Sequence, residues 1–274
     1  MPTTSTTFPS YQKRRDAGEI VGLTSDAARI FWRLRGPLST CVFVVEDHRD
    51  MGSSREPYAR QEGWHPVSQA SLTEPKIGSI AVAVDALRQW QDNWLELHER
   101  HADPDDDDCV FGELDPELYA QSDDEDEESD QEEDRRELLR CCGTDRPVKA
   151  NSLIFKPSDT SKGYVTVHDY ISAVHPWLMG LREEIIQADN VWGDRKPKDY
   201  ERLVVEYNIP RTLMIMDEDR FLRANGSKQR PPAPVTTSSG IDWAAVAREP
   251  SNYKSMYIPN LNTMPKHLLP KDLQ

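Results

Sequence analysis

The segment from Tyr164 to Ile186 carries side chains that could do chemistry, namely His168, His175 and Arg182. Histidine titrates near neutral pH and can serve as acid, base or metal ligand. Two helix positions seven residues apart lie about 10.5 Å apart along the axis, so His168 and His175 cannot share one metal whose bonds are about 2 Å. The adjacent His168 and Asp169 point about 100° apart, which disfavours an orienting pair. We interpret both histidines as structural, and we keep His168, His175 and Arg182 as the catalytic candidates of the alternative hypothesis.

A second group stands in the stretch "HERHADPDDDDC", where His98 and His101 are three residues apart. This spacing puts both imidazoles on one side of a helix, where a transition metal could bind if a third ligand, such as an aspartate, folded back. Against a metal site, His101 also falls on an apolar stripe, and runs of acidic residues are commonly solvated. We therefore predict no metal here and retain His98 and His101 as the metal candidates.

The cysteines and glycines carry no recognisable cofactor motif. The four cysteines, Cys41, Cys109, Cys141 and Cys142, lack a metal-binding spacing, and with no export signal we expect them to be reduced thiols. The sequence has no Gly-x-Gly fingerprint, phosphate-binding loop, nucleophile elbow or His-Glu-x-x-His motif. We therefore expect no cofactor.

The acidity of the chain is concentrated in one segment. The formal net charge is -15, whereas residues 103–137 contain 19 acidic residues and two arginines, which leaves the rest of the chain at +2. The run "SDDEDEESDQEED" predicts a disordered insert that repels itself. The alternative is that the insert attracts basic partners. Ser122 and Ser129 each precede an acid by three residues, which resembles the sites of acidophilic kinases.

Composition also bears on location and partners. No segment approaches the roughly 20 apolar residues of a membrane helix, and no apolar run follows the first basic residues. A nearly neutral body with an acidic insert is a poor match for nucleic acid. We expect an intracellular protein, cytoplasmic or nuclear, that binds neither membrane nor nucleic acid directly.

Two long amphipathic helices are predicted. Apolar residues recur at three- and four-residue steps from Ile80 to His101, which favours one continuous helix. The second begins after Thr166, a predicted N-cap with Asp169 three residues on, and its apolar stripe passes through Pro176. Pro176 predicts a kink there or the start of a second helix.

Shorter elements complete the prediction. Residues 25–35 fit a helix or a strand, and we favour the helix. Leu138 and Leu139 suggest the start of a short helix. Strands are predicted at "CVFVVED", at residues 153–156 and 164–167 as a hairpin, and at "YERLVVEY" and "TLMIMDE" around the turn at Asn208 to Pro210.

The runs "HPWLMGLRE" and "PRTLMIMDEDRFL" resemble stretches in uncharacterised proteins of filamentous fungi. The resemblance covers about residues 150 to 225. It implies a fungal origin and brings no activity with it.

Together these features predict an α+β fold, with a small mixed or antiparallel sheet and two long amphipathic helices. Residues 1–18 form a disordered arm, 19–102 and 138–225 the body, 103–137 the acidic insert, and 226–274 a proline-rich linker and tail. Two functions remain open. The first is a non-catalytic accessory or interaction protein whose insert recruits basic partners. The second is an enzyme of unrecognised family, such as a pathway-specific fungal one.

Overall fold

The computed structural model describes residues 8–115, 136–148, 150–159 and 161–226. Within these ranges the fold is α+β, as predicted, with small antiparallel and mixed sheets and two helices of 14 residues. The central part of the acidic insert, with Ser122 and Ser129, and the linker and tail after Gly226 lie outside the described residues.

The helices of the described residues are α1 (Tyr11–Asp16), α2 (Leu38–Cys41), α3 (Asp85–His98), α4 (Val167–Gly180), α5 (Arg182–Asp189) and α6 (Glu218–Asn225). The strands are β1 (Gly22–Leu23), β2 (Ile30–Trp32), β3 (Val42–Val45), β4 (Arg55–Pro57), β5 (Ala59–Arg60), β6 (Gly63–Trp64), β7 (Thr73–Glu74), β8 (Ile80–Val84), β9 (Val110–Gly112), β10 (Glu137–Cys141), β11 (Thr144–Asp145), β12 (Leu153–Phe155), β13 (Leu203–Glu206) and β14 (Thr212–Asp217).

The body is organised around a four-stranded sheet in the order β12, β8, β14, β13. Strand β8 pairs antiparallel with β12 and parallel with β14, and helix α3 follows β8 without a loop. The buried side chains of β8 and β14 share one hydrophobic core with those of α4, namely Val82, Val84, Leu213, Tyr170, Val174 and Leu178. This core removes the apolar face of α4 from water, which is the main favourable contribution to folding.

A second sheet, in the order β2, β3, β4, joins the first along β13. The link consists of a bridge between Arg33 and Val204 and a hydrogen bond from Leu34 N to Leu203 O of 2.9 Å. A separate small core lies between this sheet and α6, with Phe31, Val45, Met51, Val204, Met216 and Phe221 buried.

A third sheet, in the order β11, β10, β9, lies at the two ends of the acidic insert. Strand β9 precedes the insert's central part and pairs antiparallel with β10, which follows it. The buried core of this sheet consists of Trp94, from α3, with Leu138 and Cys141. The prediction of a disordered insert over residues 103–137 is therefore wrong at both ends, where Val110–Gly112 and Glu137 belong to strands.

The continuous helix predicted from Ile80 to His101 is wrong in its first part. Residues Ile80–Val84 form β8, and the helix begins only at Asp85. Ile80, Val82 and Val84 are buried while Ala81 is exposed, which is the two-residue alternation of a strand. Pairing with β12 and β14 therefore prevailed over the helical spacing of Ile80, Ala83 and Leu87.

Four shorter predictions also differ from the structure. Residues 27–29 form a single 3-10 turn and Ile30–Trp32 a buried strand, so the strand alternative holds for residues 25–35. Leu138 and Leu139 lie in strand β10, not in a helix. Strand β12 pairs with β8, so it forms no hairpin with residues 164–167. Residues Tyr11–Asp16, predicted as part of a disordered arm, form α1 with Tyr11 buried.

The cap and the two last strands are confirmed. Thr166 Oγ1 accepts from Asp169 N at 3.1 Å, and the Asp169 carboxylate accepts from Thr166 N at 2.9 Å, which forms a capping box. Helix α4 runs through Pro176 to Gly180, and α5 starts two residues later. Strands β13 and β14 pair antiparallel, as predicted around the turn before Pro210.

Candidate metal centre

Two histidines and two cysteines meet where the end of α3 faces the end of β10. One ligand atom from each of His98, His101, Cys141 and Cys142 lies within 4.8 Å of every other. His98 and Cys141 are buried, His101 is half-buried and Cys142 is exposed. The cluster joins residues on opposite sides of the acidic insert.

The end of α3 places the two histidines. His98 occupies the last turn of the helix, and the chain then continues through a turn in which His101 N donates to His98 O at 3.1 Å. The ring of His98 packs on Trp94, with 4.5 Å between ring centroids. The three-residue spacing therefore brings His98 Nδ1 and His101 Nε2 to 3.4 Å of each other.

A tight hairpin places the two cysteines. Cys141, the last residue of β10, pairs with Thr144 of β11, so only Cys142 and Gly143 form the connection. Both have positive φ, 50° and 76°, which is the signature of a two-residue type I′ turn. The strand end points Cys141 towards α3, and the turn brings Cys142 Sγ to 3.8 Å from Cys141 Sγ.

Thr144 orients His98. Its hydroxyl donates to Cys141 O at 3.0 Å and accepts from Trp94 Nε1 at 3.2 Å. The remaining acceptor position of the hydroxyl faces His98 Nε2 at 3.5 Å. A proton on His98 Nε2 would complete this set of hydrogen bonds and leave the lone pair of Nδ1 facing His101 Nε2 in the cluster. An outer partner that fixes the tautomer in this way is typical of metal-binding histidines.

Four of the six distances among the donor atoms match the edges of a zinc tetrahedron, and the two from His98 to the cysteines are at most 4.8 Å. Zinc bonds of about 2.0 Å to nitrogen and 2.3 Å to sulfur give edges of about 3.3 to 3.8 Å. His101 Nε2 lies 3.3 Å from Cys142 Sγ and 3.4 Å from Cys141 Sγ, and the two edges already given are 3.4 and 3.8 Å. Two sulfur and two nitrogen donors in this geometry favour zinc over harder cations.

The electrostatics of the cluster suit a cation. Burial, followed by the neighbouring His101, lowers the pKa of His98 to about 4, so that its imidazole is neutral at physiological pH. Burial and hydrogen bonds with Cys109 and Cys142 raise the pKa of the Cys141 thiol. A bound divalent metal would displace that proton, because coordinated thiols lose theirs outright.

Apart from the four candidate ligands, a small hydrophobic cluster supports the sheet formed by β9, β10 and β11. The hydrophobic cluster beside the candidate ligands has three buried members, Trp94, Leu138 and Cys141, with a few partly buried neighbours. Arg146 adds a hydrogen bond of 3.0 Å to Glu137, the first residue of β10. Small units with such limited cores commonly depend on a metal or a disulfide.

The structure places His168 in an aromatic cluster. Its ring stacks on Tyr58 with 6.2 Å between centroids and lies 4.8 Å from the ring of Trp64. Tyr58 is buried, burial raises the pKa of its phenol, and its hydroxyl shares a hydrogen bond of 3.1 Å with His168 Nδ1. Burial lowers the pKa of His168. These contacts suit a neutral histidine at the edge of a core.

His175 is buried, and both of its ring nitrogens are engaged. Trp32 Nε1 donates to Nδ1 at 3.1 Å, and Nε2 donates to Gly36 O at 2.9 Å. Cys41 Sγ lies 3.6 Å from Nε2, which would suggest a Cys-His pair. Neither nitrogen is left to accept the thiol proton, however, and burial raises the pKa of Cys41 to about 11. The arrangement is that of a structural histidine.

Arg182 completes the first group of candidates. It donates to Tyr200 O at 3.0 Å and to Glu183 at 3.2 Å. In these hydrogen bonds and ring contacts, the partners of His168, His175 and Arg182 are all different. A cavity of about 150 Å³ lies elsewhere, lined by Gln12, Arg88 and small side chains of β8, without a histidine or tryptophan.

The prediction from sequence found His98 and His101 but missed their partners. The sequence predicts no metal and offers an aspartate only as a third ligand that could fold back, whereas the structure brings Cys141 and Cys142 to the histidines. The signal was present in "CCGT", where glycine after two cysteines fits a two-residue turn between strands. The helix predicted at Leu138 and Leu139 is incompatible with that hairpin, because both residues lie in the strand that leads into the turn.

Comparison with protein-family models, curated proteins and solved structures found no match to this chain. Within the described ranges, no helix combines the length and apolarity needed to cross a bilayer.

Proposed function

We propose that the chain is a zinc-stabilised accessory protein in which a closed site holds the base of an acidic insert and the insert recruits basic partners. The observation that carries the proposal is the gathering of one donor atom each from His98, His101, Cys141 and Cys142 within 4.8 Å, with four of the six distances at tetrahedral values. We include an intracellular location, because reducing compartments keep thiol ligands free of disulfides.

The donor set supports a structural zinc ion over a catalytic one. Catalytic zinc sites keep three protein ligands and leave one position for water or substrate, whereas structural sites use four. Here two sulfur and two nitrogen atoms fill the tetrahedron. The proposed ion therefore stabilises the fold and activates no water.

The position of the site supports a role in presenting the insert. His98 and His101 precede the insert, Cys141 and Cys142 follow it, and one ion bound to all four ties its two ends together. Between them, residues 103–137 carry 19 of the 48 acidic residues of the chain and only two arginines, a net charge of -17. A net charge of this size attracts basic proteins over about a Debye length. Phosphorylation of Ser122 or Ser129 would add to that charge.

The enzyme hypothesis receives less support. It requires His168, His175 and Arg182, or His98 and His101, to converge in a concave pocket lined by tryptophans. The first three side chains contact separate neighbours, and His175 uses both ring nitrogens within the core. The other two belong to the proposed zinc site.

The test is elemental analysis of protein purified under reducing conditions. We expect about one zinc ion per chain. Replacing the exposed ligand Cys142→Ser should reduce the zinc content severalfold, because zinc prefers thiolate to hydroxyl donors. The control His48→Ala changes a half-buried histidine outside the cluster and should keep the full zinc content.

Thermal melting gives a second readout of the same proposal. A strong chelator should lower the melting temperature of the wild-type protein and leave that of Cys142→Ser almost unchanged, because metal bound only to the folded state adds to its stability. A wild-type protein that neither contains zinc nor takes it up, and whose melting curve ignores the chelator, would refute the proposed site.

A further inference from the structure

Cys109 is a fifth donor beside the proposed four-ligand site. Its Sγ lies 3.4 Å from Cys141 Sγ, closer than the 3.8 Å between Cys141 and Cys142. It is half-buried and is not one of the four residues whose ligand atoms all lie within 4.8 Å of one another. The proposed site thus has one neighbouring thiol beyond the four donor groups that a tetrahedral zinc ion binds.

The pairing of β9 with β10 explains why this thiol is near. Cys109 immediately precedes β9, whose first residue Val110 is the partner of Arg140, the neighbour of Cys141. A backbone hydrogen bond of 3.0 Å from Cys109 N to Asp106 O fixes the approach of the chain. The proximity of the two sulfurs therefore follows from backbone structure on both sides.

We propose that Cys109 is the redox partner of Cys141, so that a peroxide joins these two sulfurs in a disulfide and releases the zinc ion. This inference rests on the zinc site proposed above. Cys141 is one of the four ligands, and a sulfur engaged in a disulfide no longer offers the thiolate that zinc binds. Losing one of four ligands opens the site.

The chemistry balances with hydrogen peroxide as the oxidant. The Cys109 thiolate attacks one peroxide oxygen, the O–O bond breaks, and Cys109 becomes a sulfenic acid while hydroxide leaves. The Cys141 thiolate then attacks the Cys109 sulfur, forming the S–S bond and expelling a second hydroxide, and both hydroxides take up protons as water. Each sulfur gives one electron, and the peroxide takes two.

The neighbouring pair Cys141 and Cys142 is a poorer candidate for the disulfide. A bond between adjacent cysteines closes a small ring that contains their peptide, with Cα atoms about 3.8 Å apart, whereas disulfides usually join Cα atoms about 4.4 to 6.8 Å apart. Cys142 also sits in the type I′ turn with positive φ, and reorienting it would disturb the hairpin. Cys109 and Cys141 are 32 residues apart, so their disulfide has no such local constraint.

In the proposed switch, a disulfide replaces the zinc ion as the link between the two ends of the insert. Zinc ties His98 and His101 to the cysteines after the insert, and the disulfide ties Cys109 to Cys141 across the same segment. The insert would therefore stay closed at its base after oxidation. What changes is the release of the two histidines and Cys142, beside the charged segment.

The test uses full-length, zinc-loaded protein treated with hydrogen peroxide. Zinc release is followed with a chromogenic chelator, and disulfides are mapped by mass spectrometry of unreduced peptides. We expect release of the bound zinc together with a peptide that joins Cys109 to Cys141. Thiol reductant with added zinc should restore the original zinc content.

The decisive variant is Cys109→Ser, which removes the partner thiol without removing a proposed ligand. It should bind zinc like the wild type and release it about tenfold more slowly under peroxide. Release at the wild-type rate, a disulfide between Cys141 and Cys142, or loss of zinc binding in Cys109→Ser would each overturn the inference. A wild-type protein without zinc would instead refute the site itself, so the two failures are distinguishable.

Discussion

At the scale of single residues, Glu218 is a buried carboxylate held by arginines. Arg33 donates to its two oxygens at 3.1 and 2.9 Å in a bidentate pair, and Arg55 and Arg202 each lie 3.6 Å away. Burial alone would raise the pKa of Glu218, but the Arg33 hydrogen bonds and the charges of the three arginines outweigh it and the pKa is lowered. The ionised form therefore stabilises the fold.

The pH dependence follows from the direction of that shift. A carboxyl whose pKa is lower in the folded state contributes stability above its unfolded pKa, about 4.3 for glutamate, and loses it as the pH falls through the lowered value. Glu218→Gln should lower the free energy of unfolding at pH 7 by about 2 kcal/mol, because the arginines lose their charge partner. As the pH falls through the lowered pKa of Glu218, the variant and the wild type should converge.

Denaturant unfolding between pH 3 and 7 measures this difference. The control Glu201→Gln removes an exposed carboxylate and should follow the wild-type curve at every pH. A constant difference between Glu218→Gln and wild type across the range would show that the charge of Glu218 is not what stabilises α6.

At the scale of elements, the start of α4 depends on its capping box. Thr166 is buried, and its hydroxyl both accepts from Asp169 N and donates to the Asp169 carboxylate at 2.6 Å. Thr166→Ala should cost about 1 to 2 kcal/mol, because it leaves a helix N–H without an acceptor. Thr166→Ser keeps the hydroxyl and should recover most of that loss.

The measurement is the melting temperature, with an expected fall of roughly 2 to 8 °C for the alanine variant. Equal losses in the two variants would assign the effect to the threonine methyl group.

The sequence was informative for elements whose signals are local. The capping box at Thr166 and the turn between β13 and β14 depend on residues a few positions apart, and both were predicted. Strand β8 was missed because the run "IAVAV" satisfies both a helical and a strand spacing, and only pairing with β12 and β14 decides between them. Local propensity gives way to such tertiary contacts.

The candidate metal centre was partly predictable for the same reason. His98 and His101 are close in sequence, and their spacing marked them as candidate ligands. Their partners Cys141 and Cys142 lie beyond the acidic insert, at a separation that matches no compact zinc motif. Only the pairing of β9 with β10, which spans the insert, brings the second pair of ligands to the first. A sequence pattern does not contain that long-range pairing.

At the scale of the whole molecule, the charge of the chain is separated from its core. The buried members of the hydrophobic clusters belong to the body, whereas the insert has a net charge of -17 and the rest of the chain one of +2. The run from Ser122 to Asp134 has no apolar side chain that could offset the entropy of ordering it. A protein built in this way can vary its insert without changing its core.

Deleting residues 122–134 should therefore leave the body intact. The deletion removes ten carboxylates and their mutual repulsion, so the melting temperature should stay the same or rise slightly, most visibly at low salt. The zinc content should not change, because all four proposed ligands lie outside the deleted run. Binding to poly-lysine, as a probe for basic partners, should weaken and depend less on salt.

A variant with the same ten acids changed to Asn and Gln keeps the length of the insert and should lose the same binding, because charge alone supplies the attraction. A large fall in melting temperature in both variants would show that the acidic run is part of the folded core, and undiminished binding to poly-lysine would show that basic partners use another surface.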